Sequence, residues 1–518
     1  MTFFTEELSM MSYGQNEEFT TEDSSPLVAE NVFLQKDPDT GALPCFAEIR
    51  DSLPQPSWEG QEDVIACYWR AWEIAFSNLR KPLPDTGFVS PFIDTAFNGC
   101  TFMWDSAFML MFGKYGRRIF NFQGTLDNFY SHQHRDGFIC REIEEDTGRE
   151  HFTRHDPSAT GPEVLPWCEW EYFCNTGDND RLEKVFPPLL AYHRWMRLHH
   201  TWPDGSYFSS GWGCGMDNCP RLMPGYDQRK SHGHMVWVDV CCQALLSCRL
   251  LTKMAAVLDR TEFLAELQEE AESLEQLLQN RLWDENAGLF KDLWKNGESS
   301  PVRHIGAYWA LLSGCATKEQ ADRMAALLED PTAFKTPHRV PTLTCDHPEF
   351  APDGRYWRGG VWASTNYMVL KGLEQYGKNA LAHEIARNHL SVVVELYKKE
   401  DTLFECYAPM FAGASLTAKG NPVRRDFVGW TGLSPIAMLL ENVFGIHPNV
   451  PENTIFWDIR LLEAHGVTNY PFGKAGLLTL HCEKRNSADE KPKITAVSNI
   501  PVTLEICWDS EKKEKVLL

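Results

Sequence analysis

The feature that most constrains this chain is a helical period of apolar residues that runs from residue 61 to about residue 445. Apolar side chains that recur every three or four residues share one face of an α-helix, so each such segment predicts a helix with a buried face. Charged amphipathic segments alternate with apolar, aromatic ones, which favours outer helices around a buried inner layer. A twelve-helix (α/α)6 toroid fits this alternation, and other stacks of helices fit it too.

The segment EDVIACYWRAWEIAFSNLR shows the period clearly, with Ile65, Tyr68, Trp69, Trp72 and Phe76 on one face. A proline pair at residue 187 suits the first turn of another helix. The remaining predicted helices have the same spacing and span residues 104–115, 118–132, 164–176, 236–257, 264–278, 306–313, 317–328, 361–376, 381–396 and 430–444.

The chain on either side of this helical region has a different texture. Residues 1–60 are polar, acidic and rich in proline, which predicts an extended lead-in with at most a strand or two. From about residue 450 the period becomes two, as in residues 478–483 and 503–508, and this alternation predicts half-buried strands. We therefore expect a mainly α protein with a lead-in (1–60), a helical barrel (61–448) and a small β-sandwich-like domain (449–518).

Charge and cysteine content narrow the functional classes. With 49 basic and 72 acidic side chains the formal net charge is −23, and no basic cluster offers a nucleic-acid footprint or a contact for anionic membranes. The first residues lack the basic and apolar regions of a secretory signal. The sixteen cysteines include no CxxC pair, which favours reduced thiols in a cytoplasmic protein. We also expect no metal and no cofactor. The sequence leaves the oligomeric state open.

Aromatic residues make up 12% of the chain, including 18 tryptophans. Tryptophan fills the core of large helical proteins, and its flat face also stacks against sugar rings. For a single tryptophan the sequence leaves both readings open.

Two acidic residues occupy unusual surroundings. Asp217 lies in the loop GWGCGMDNCPR, where glycines and tryptophan replace the polar neighbours of an ordinary Asp turn. An acid held beside apolar walls has a raised pKa and suits a general acid, although a simple Asx turn explains the residue as well. Glu405 lies in the aromatic segment FECYAP, unlike the many glutamates on amphipathic helices.

Two further segments open predicted helices. Asp105 follows Trp104 and either caps its helix or faces a site. In YWRGGVW, Trp357 and Trp362 flank Arg358, which fits either a sugar clamp or a cation–π packing knot.

These motifs carry a resemblance. WDSAF, Gln133-x-x-Asp136-Gly137, SGWGCGMDNCPR, YWRGGVW and the pair FECYAP and FVGWTGL occur in the order found in the inverting α-glycosidases of glycoside hydrolase family 63. That family includes processing α-glucosidase I and mannosylglycerate hydrolase-like bacterial enzymes, and it is related to trehalases. The resemblance covers roughly residues 90–445, and it departs from the common pattern at Cys214 and Cys219.

The resemblance implies an (α/α)6 barrel and an inverting hydrolase of a short α-linked glucoside or mannoside. Asp217 would be the general acid and Glu405 the general base, which face each other across a water molecule. The candidate substrate-binding residues in and near the motifs are Trp104, Asp105, Gln133, Asp136, Trp167, Trp212, Asn218, Arg221, Trp357, Arg358, Gly360, Trp362, Tyr407 and Trp430.

Three other classes remain open at this point. The pairs His132/His134 and His232/His234, with Asp136 or Asp239 nearby, would suit a metal-dependent hydrolase. A non-catalytic carbohydrate-binding protein would also use aromatic residues, but it has no need of two acids. A phosphorylase would replace the base by a phosphate site.

The loop 412–426 carries glycines together with Lys419, Arg424 and Arg425. It is either a flexible surface loop or a lid that closes over a sugar with an acidic aglycone. The sugar, the linkage and the aglycone do not follow from the sequence.

Overall fold

The structure, a computed structural model, describes residues 24–95, 98–509 and 512–518. Within these ranges twelve helices carry the chain from residue 62 to residue 443, with short helical turns between them. They are α1 (Glu62–Ser77), α2 (Met103–Gly113), α3 (Gly124–Tyr130), α4 (Leu165–Thr176), α5 (Asn179–His199), α6 (Val238–Val257), α7 (Leu264–Leu277), α8 (Trp309–Ser313), α9 (Lys318–Leu328), α10 (Ala363–Gln375), α11 (Asn379–Glu400) and the π-helix α12 (Ser434–Val443).

The even-numbered helices form a closed inner layer. Each packs against the next, from α2 through α4, α6, α8 and α10 to α12, and α12 returns to α2. Every residue of α2 and of α12 is buried, as expected for helices that are apolar on all sides. The mainly α architecture predicted from the sequence is therefore present.

The odd-numbered helices cover this layer. In α7 only Leu267, Glu270 and Leu274 are buried, which is the single apolar face that its Glu-rich sequence predicts. The helix α3 is wholly buried because the lead-in covers it. There Lys36 forms an ion pair with Asp127 at 2.8 Å.

One helix begins earlier than the sequence predicted, and a second is unusually apolar. The helix α5 begins at Asn179 rather than at the proline pair, because Asp178 caps it by accepting a hydrogen bond from the Arg181 N–H. The helix α6 is long and apolar enough to span a membrane by length and composition, but 72% of its most apolar window is buried against neighbouring helices. Such burial is typical of a core helix in a soluble fold.

A buried ion network ties four inner helices together. Glu441 of α12 accepts an ion pair from Lys114 at 2.9 Å and from Lys371 at 3.3 Å, and both lysines lie 3.3 Å from Glu171 of α4. Tyr115 and Tyr367 donate to the two oxygens of Glu441 at 2.7 and 2.8 Å. Lys371 and Glu441 lie in the carboxyl-terminal halves of their helices, and Lys114 directly follows α2.

Most strands lie outside the helical ring. They are β1 (Gln55–Trp58), β2 (Leu79–Arg80), β3 (Phe92–Ile93), β4 (Cys100–Phe102), β5 (Glu142–Glu144), β6 (Trp283–Asp284), β7 (Leu289–Phe290), β8 (Ile446–Asn449), β9 (Thr454–Asp458), β10 (His465–Phe472), β11 (Gly476–Cys482), β12 (Ile494–Ser498), β13 (Thr503–Trp508) and β14 (Lys512–Leu517). Two four-stranded sheets have the orders β1-β10-β11-β12 and β14-β13-β9-β8.

The strand β1 changes the expected division of the chain. It comes from the lead-in, yet it pairs antiparallel with β10, with Ser57 opposite Gly466. The lead-in is thus part of the same sheet as strands from the far end of the sequence. Residues 1–23 of the predicted lead-in lie outside the described residues.

The ion network gives the first prediction. The change Lys371→Met leaves Glu171 and Glu441 with one lysine in a buried site, and breaking a buried pair costs about 3–5 kcal/mol. We expect a loss of this size in the free energy of unfolding, measured by urea denaturation. The matched control is Lys399→Met, which removes an exposed pair with Glu395 worth about 0.3–0.5 kcal/mol. Equal effects of the two changes would contradict the assigned role of the network.

Candidate active site

A cavity of 440 Å³ opens at the amino ends of the inner helices. It brings together most of the acidic and aromatic motif residues. Its walls consist of Asn98, Phe102, Met103, Trp104, Asp105, Arg141, Glu142, His151, Phe152, Gly161, Pro162, Trp212, Gly215, Asp217, Tyr356, Trp357, Glu405 and Trp430.

The glycines of the GWGCG segment shape the loop that presents Asp217. A Cβ atom at Gly211 would lie 2.2 Å from the Gln228 carbonyl oxygen. Gly215 has a φ of +81° and lies against the ring of Trp104, so a side chain there would be strained and would meet that ring. The glycines therefore allow the loop to approach the cavity wall closely.

Asn218 ties this loop to the segment that carries Trp357. Its side-chain amide donates to the Arg355 carbonyl at 3.0 Å and accepts from the Trp357 N–H at 2.9 Å. Asn218 itself is buried behind the cavity wall. It acts on the site by fixing the two loops relative to each other.

Asp217 has the pKa of a group that is half protonated near neutral pH. Burial raises the pKa of Asp217 from 3.8 to about 7, Arg141 opposes the rise, and the nearby charge of Glu405 adds to it. A carboxylic acid with this pKa is able to hold and donate a proton at physiological pH.

Glu405 is held firmly on the opposite motif. Its N–H donates to the Arg424 carbonyl at 3.1 Å, and its own carbonyl accepts from Trp430 Nε1 at 2.7 Å. The hydroxyl of Tyr356 donates to Glu405 Oε1 at 2.7 Å. Burial raises the pKa of Glu405, while this hydrogen bond and the charge of Arg424 pull the pKa back down.

Tyr356 is a site residue that the sequence analysis did not single out. It has a φ of +69°, a strained conformation for a residue with a bulky side chain. The following turn requires Gly360, because a Cβ there would lie 2.2 Å from the Tyr356 carbonyl oxygen. Strain of this kind is common in functional sites, where it holds a side chain in place. The signal in the sequence was the adjacent Trp357.

Asp105 and Trp104 present polar atoms without a partner among the described residues. Asp105 is 4% exposed, and its Oδ1 has no hydrogen bond there; nor has Trp104 Nε1. Burial and the charge of Glu405 raise the pKa of Asp105 well above its ordinary value. Both residues line the cavity, although these two atoms are themselves buried within its wall.

Aromatic rings form the rest of the wall. Trp357 stacks on Trp362 with ring centroids 4.0 Å apart and an angle of 6° between the planes. Trp362 therefore lies behind the wall as its support rather than in it. Trp212 and Trp430 complete the aromatic surface.

Several predicted substrate-binding residues lie outside this cavity. Gln133 is buried and donates to the carbonyls of Gly137 and Pro188. Asp136 accepts from Arg154 at 2.5 Å and from Trp195 Nε1 at 3.0 Å, so its carboxylate is satisfied by the fold.

Trp167 also belongs to the core. Its ring stacks on Tyr367 at 5.9 Å and lines a different cavity, with Trp170 and Arg249, outside the proposed site. Helical spacing cannot separate such a core tryptophan from one that faces a ligand.

Arg221 and Arg358 have other partners. Arg221 is fully buried and donates to Asp239 through both terminal nitrogens and to Asp292 through Nη2 and Nε, which anchors the end of the Asp217 loop. Arg358 points outward and forms an ion pair with Glu349 at 3.0 Å.

Tyr407 is buried beside the Glu405 segment rather than in the cavity. Its hydroxyl accepts a hydrogen bond from the Phe404 N–H at 3.3 Å. Gly360, Trp362 and Tyr407 therefore support the wall residues and do not line the cavity themselves.

Arg141, Glu142 and His151 are wall residues that sequence reasoning missed. Arg141 and Glu142 stand in the segment GFICREIE, where a charged pair follows a buried apolar run. That change in polarity was the available signal. His151 had none, because it lies in a polar loop.

The predicted metal ligands do not converge. His132 contacts the carbonyls of Asn128 and Thr86, and Asp239 is occupied by Arg221. Across the described ranges, two clusters hold three possible metal ligands within 4.8 Å of one another: Cys100 with Glu142 and His151, and His193 with Cys248 and Glu270. Neither contains a residue of the His-x-His pairs.

The loop 412–426 takes no part in lining the cavity. It is pinned by bridges between Tyr407 and Ala414 and between Phe404 and Arg425. The guanidinium of Arg425 forms an ion pair with Glu400 at 2.7 Å on the outside of the molecule. This geometry does not support the predicted contact of Arg425 with an acidic aglycone.

Comparison with known proteins gives the family. The model described as the mannosylglycerate hydrolase MGH1-like glycoside hydrolase domain matches residues 100–421. The chain belongs to this family and is a glycoside hydrolase of family 63, as its motifs predicted. Family membership also sets aside the alternative of a non-catalytic carbohydrate-binding protein.

Relatives cover most of the helical region. An uncharacterized protein of Borreliella burgdorferi is 24% identical over 385 residues, which cover 73% of this chain and 78% of that protein. The mannosylglycerate hydrolase of Thermus thermophilus is 25% identical over 360 residues, 56% of this chain and 85% of that enzyme. A crystal structure of a family 63 mannosylglycerate hydrolase from Thermus thermophilus in complex with glucose matches with a TM-score of 0.57 at 23% identity, over 71% of this chain and 99% of that one.

The raised pKa of Asp217 predicts a stability that depends on pH. The folded protein holds this proton to about pH 7, whereas the unfolded chain loses it near pH 4, so stability falls as the pH rises between these values. Each pKa unit corresponds to about 1.4 kcal/mol. Asp217→Asn removes the penalty, and we expect it to raise the free energy of unfolding by at least about 2 kcal/mol at pH 8 and by little at pH 4.

Urea denaturation at the two pH values measures this difference. The control is Asp37→Asn, which changes an exposed carboxylate in the lead-in and should have the same small effect at both. If the gain in the free energy of unfolding for Asp217→Asn does not change with pH, the pKa of the Asp217 carboxyl is not raised.

Proposed function

We propose that this enzyme hydrolyses a short α-linked glucoside or mannoside with inversion at the anomeric carbon. Asp217 is the general acid and Glu405 the general base. The observation that carries the proposal is the pKa of about 7 at Asp217 in a cavity that also holds Glu405. Pairs of carboxyl groups with different tasks in one site are the usual machinery of glycoside hydrolases.

Proton transfers follow from these positions. Asp217 gives its proton to the glycosidic oxygen as the bond to the anomeric carbon breaks. A water molecule attacks that carbon from the opposite face and gives a proton to Glu405. Glu405 accepts this proton only when it is ionised, and the hydrogen bond from Tyr356 stabilises that ionised form.

Sugar binding is assigned to the other wall residues. The carboxyl group of Asp105 suits sugar hydroxyl groups, and the aromatic faces of Trp357 and Trp430 suit the flat side of the ring. A volume of 440 Å³ lies within the range of small-molecule sites, which favours a short substrate.

We infer that the aglycone bears a carboxylate. One support is the mannosylglycerate hydrolase of Thermus thermophilus, whose name gives a glycoside of glycerate as its substrate. The other is Arg141, the one arginine or lysine among the described wall residues, whose guanidinium lies over the Phe152 ring at 4.6 Å.

Two inferences concern the whole chain. We infer that the closed succession of inner helices and its outer cover form an (α/α)6 toroid with a β appendage. We also place the enzyme in the cytoplasm, since all sixteen cysteines are free thiols and most of them are buried.

Substrate choice and stereochemistry test the proposal directly. A panel of α- and β-linked glucosides and mannosides, including glycerate glycosides and their methyl esters, is incubated with the enzyme and followed by NMR. We expect an α-glycoside to give the β-anomer first, and the free glycerate glycoside to have a lower KM than its ester. Early release of the α-anomer would make Glu405 a nucleophile and overturn inversion.

The two acids are separated by their leaving-group dependence. Asp217→Asn should lower kcat by about 10²–10⁴-fold on substrates with poor leaving groups, and by less on activated aryl glycosides that need little protonation. Glu405→Gln should abolish turnover on both, because no group then activates the water. Equal losses on both substrates for Asp217→Asn would contradict its role as the acid.

Tyr356→Phe tests the support of the base. Loss of the hydrogen bond raises the pKa of Glu405, so the acid limb of the pH profile of kcat/KM should move to higher pH. The control is Tyr376→Phe, which removes a hydroxyl that donates to the Ala316 carbonyl outside the site. If both variants keep the wild-type profile, Tyr356 does not tune Glu405.

A further inference from the structure

A cluster of side chains at the wall of the cavity takes no part in the proposed hydrolysis; Glu142 and His151 line the cavity, and Cys100 is buried beside them. Cys100, Glu142 and His151 each place a possible ligand atom within 4.8 Å of the others. The set combines a thiol, an imidazole and a carboxylate, which are the three ligand types that zinc prefers. Magnesium and calcium prefer sites made of oxygen alone.

The backbone holds these side chains on one face. The strands β4 and β5 pair antiparallel, with Cys100 opposite Glu144 and Phe102 opposite Glu142. Residues two apart in a strand point the same way, so Glu142 and Glu144 share a face with Cys100. The N–H of His151 donates to the Glu142 carbonyl at 3.1 Å, which fixes a third stretch of chain beside the pair.

The two contacts of His151 Nε2 are close to the ligand spacing of one small cation. Cys100 Sγ lies 3.4 Å from His151 Nε2, and Glu144 Oε1 lies 3.1 Å from the same nitrogen. Glu142 Oε1 lies 3.4 Å from the other ring nitrogen, His151 Nδ1, so this carboxylate has to turn toward Nε2 to bind the same ion. Tetrahedral zinc, with bonds of about 2.0–2.3 Å, separates its ligand atoms by roughly 3.3–3.7 Å.

Charge and access also favour a cation. Glu142, Glu144 and Asp94 act on the Cys100 thiol as negative charges, whereas burial and the neighbouring Asp94 raise the pKa of Glu145 to about 9. The cations that face these acids are Arg141, 3.4 Å from Glu142, Arg80, 4.0 Å from Asp94, and the exposed Arg149 on Glu144. The side chain of His151 is 34% exposed and lines the cavity together with Glu142, so an ion reaches the cluster through the cavity itself.

We propose that Cys100, His151 and Glu142, with Glu144 beside them, form a zinc site in the wall of the cavity, and that zinc bound there inhibits the enzyme. Binding converts the Cys100 thiol to a thiolate and releases its proton, so affinity rises with pH. The ion adds positive charge beside Asp105 and takes up Glu142, an acid that lines the cavity. The inhibition rests on the proposed function, whereas binding does not.

Calorimetric titration of the untagged, metal-free enzyme with zinc chloride, without substrate, tests the site. We expect one zinc per chain. Cys100→Ser should weaken binding by more than the about 10- to 100-fold that loss of an outer partner costs at a metal site. The control Cys345→Ser, which changes a thiol outside the cavity, should bind as the wild type does. Cobalt substitution adds a second readout, since a sulfur-to-cobalt charge-transfer band should appear in the wild type and vanish in Cys100→Ser.

The outcomes separate the two parts of the proposal. Absence of binding, or equal binding by wild type and Cys100→Ser, overturns the site. If Cys100→Ser does not fold, His151→Gln provides the same titration, and unchanged affinity overturns the site there too. Zinc should inhibit hydrolysis over the same concentration range as it binds, with reversal by a chelator; binding without inhibition overturns the inhibitory role. An enzyme that cleaves no glycoside would contradict the proposed function and leave the titration interpretable.

Discussion

The ion network around Glu441 fixes the inner helices relative to one another. Its two lysines, two glutamates and two tyrosines come from inner helices or directly follow one, so the network fixes how those helices meet. Charges buried in this way are stable only when all partners are present, which makes the arrangement specific rather than merely strong. The same helices carry the cavity at their amino ends. The network and the cavity therefore involve the same set of helices.

The ion network pairs its buried charges, whereas the cavity buries acids whose charged form is destabilised. Asp105, Asp217 and Glu405 are buried acids whose pKa values are raised, so they lower the stability of the fold at neutral pH. The surrounding structure holds these acids in place although they destabilise it. Examples are the glycine loop before Asp217 and the strained turn at Tyr356. A cluster of acids with raised pKa values in a preformed cavity is typical of a catalytic site. Packing elsewhere in the core offsets this loss of stability.

The sequence predicted the helical architecture because the two layers differ in polarity. Inner helices such as α2 and α12 are apolar on all sides, and outer helices such as α7 have a single apolar face. Sequence reasoning also singled out both acids and all four tryptophans of the wall, since glycines and aromatic residues around a carboxylate are unusual. It could not separate Trp104, in the wall, from Trp167, in the core, because both occur in apolar helices. It misplaced Gln133, Asp136 and Arg221 because a motif does not show which way a side chain points. Tyr356 and Arg141 were missed because their roles arise from contacts between distant segments.

The pairing of β1 with β10 has a consequence for how the protein is made. The Glu59 N–H donates to the carbonyl of Ala464, which follows it by 405 residues. On the ribosome, β1 emerges early and has no partner until almost all of the helical ring has been synthesised. Contacts of such long sequence separation form late and slowly, so the first sheet completes only after translation of the ring. Until then β1 is an unpaired strand edge, open to chaperones and to other nascent chains.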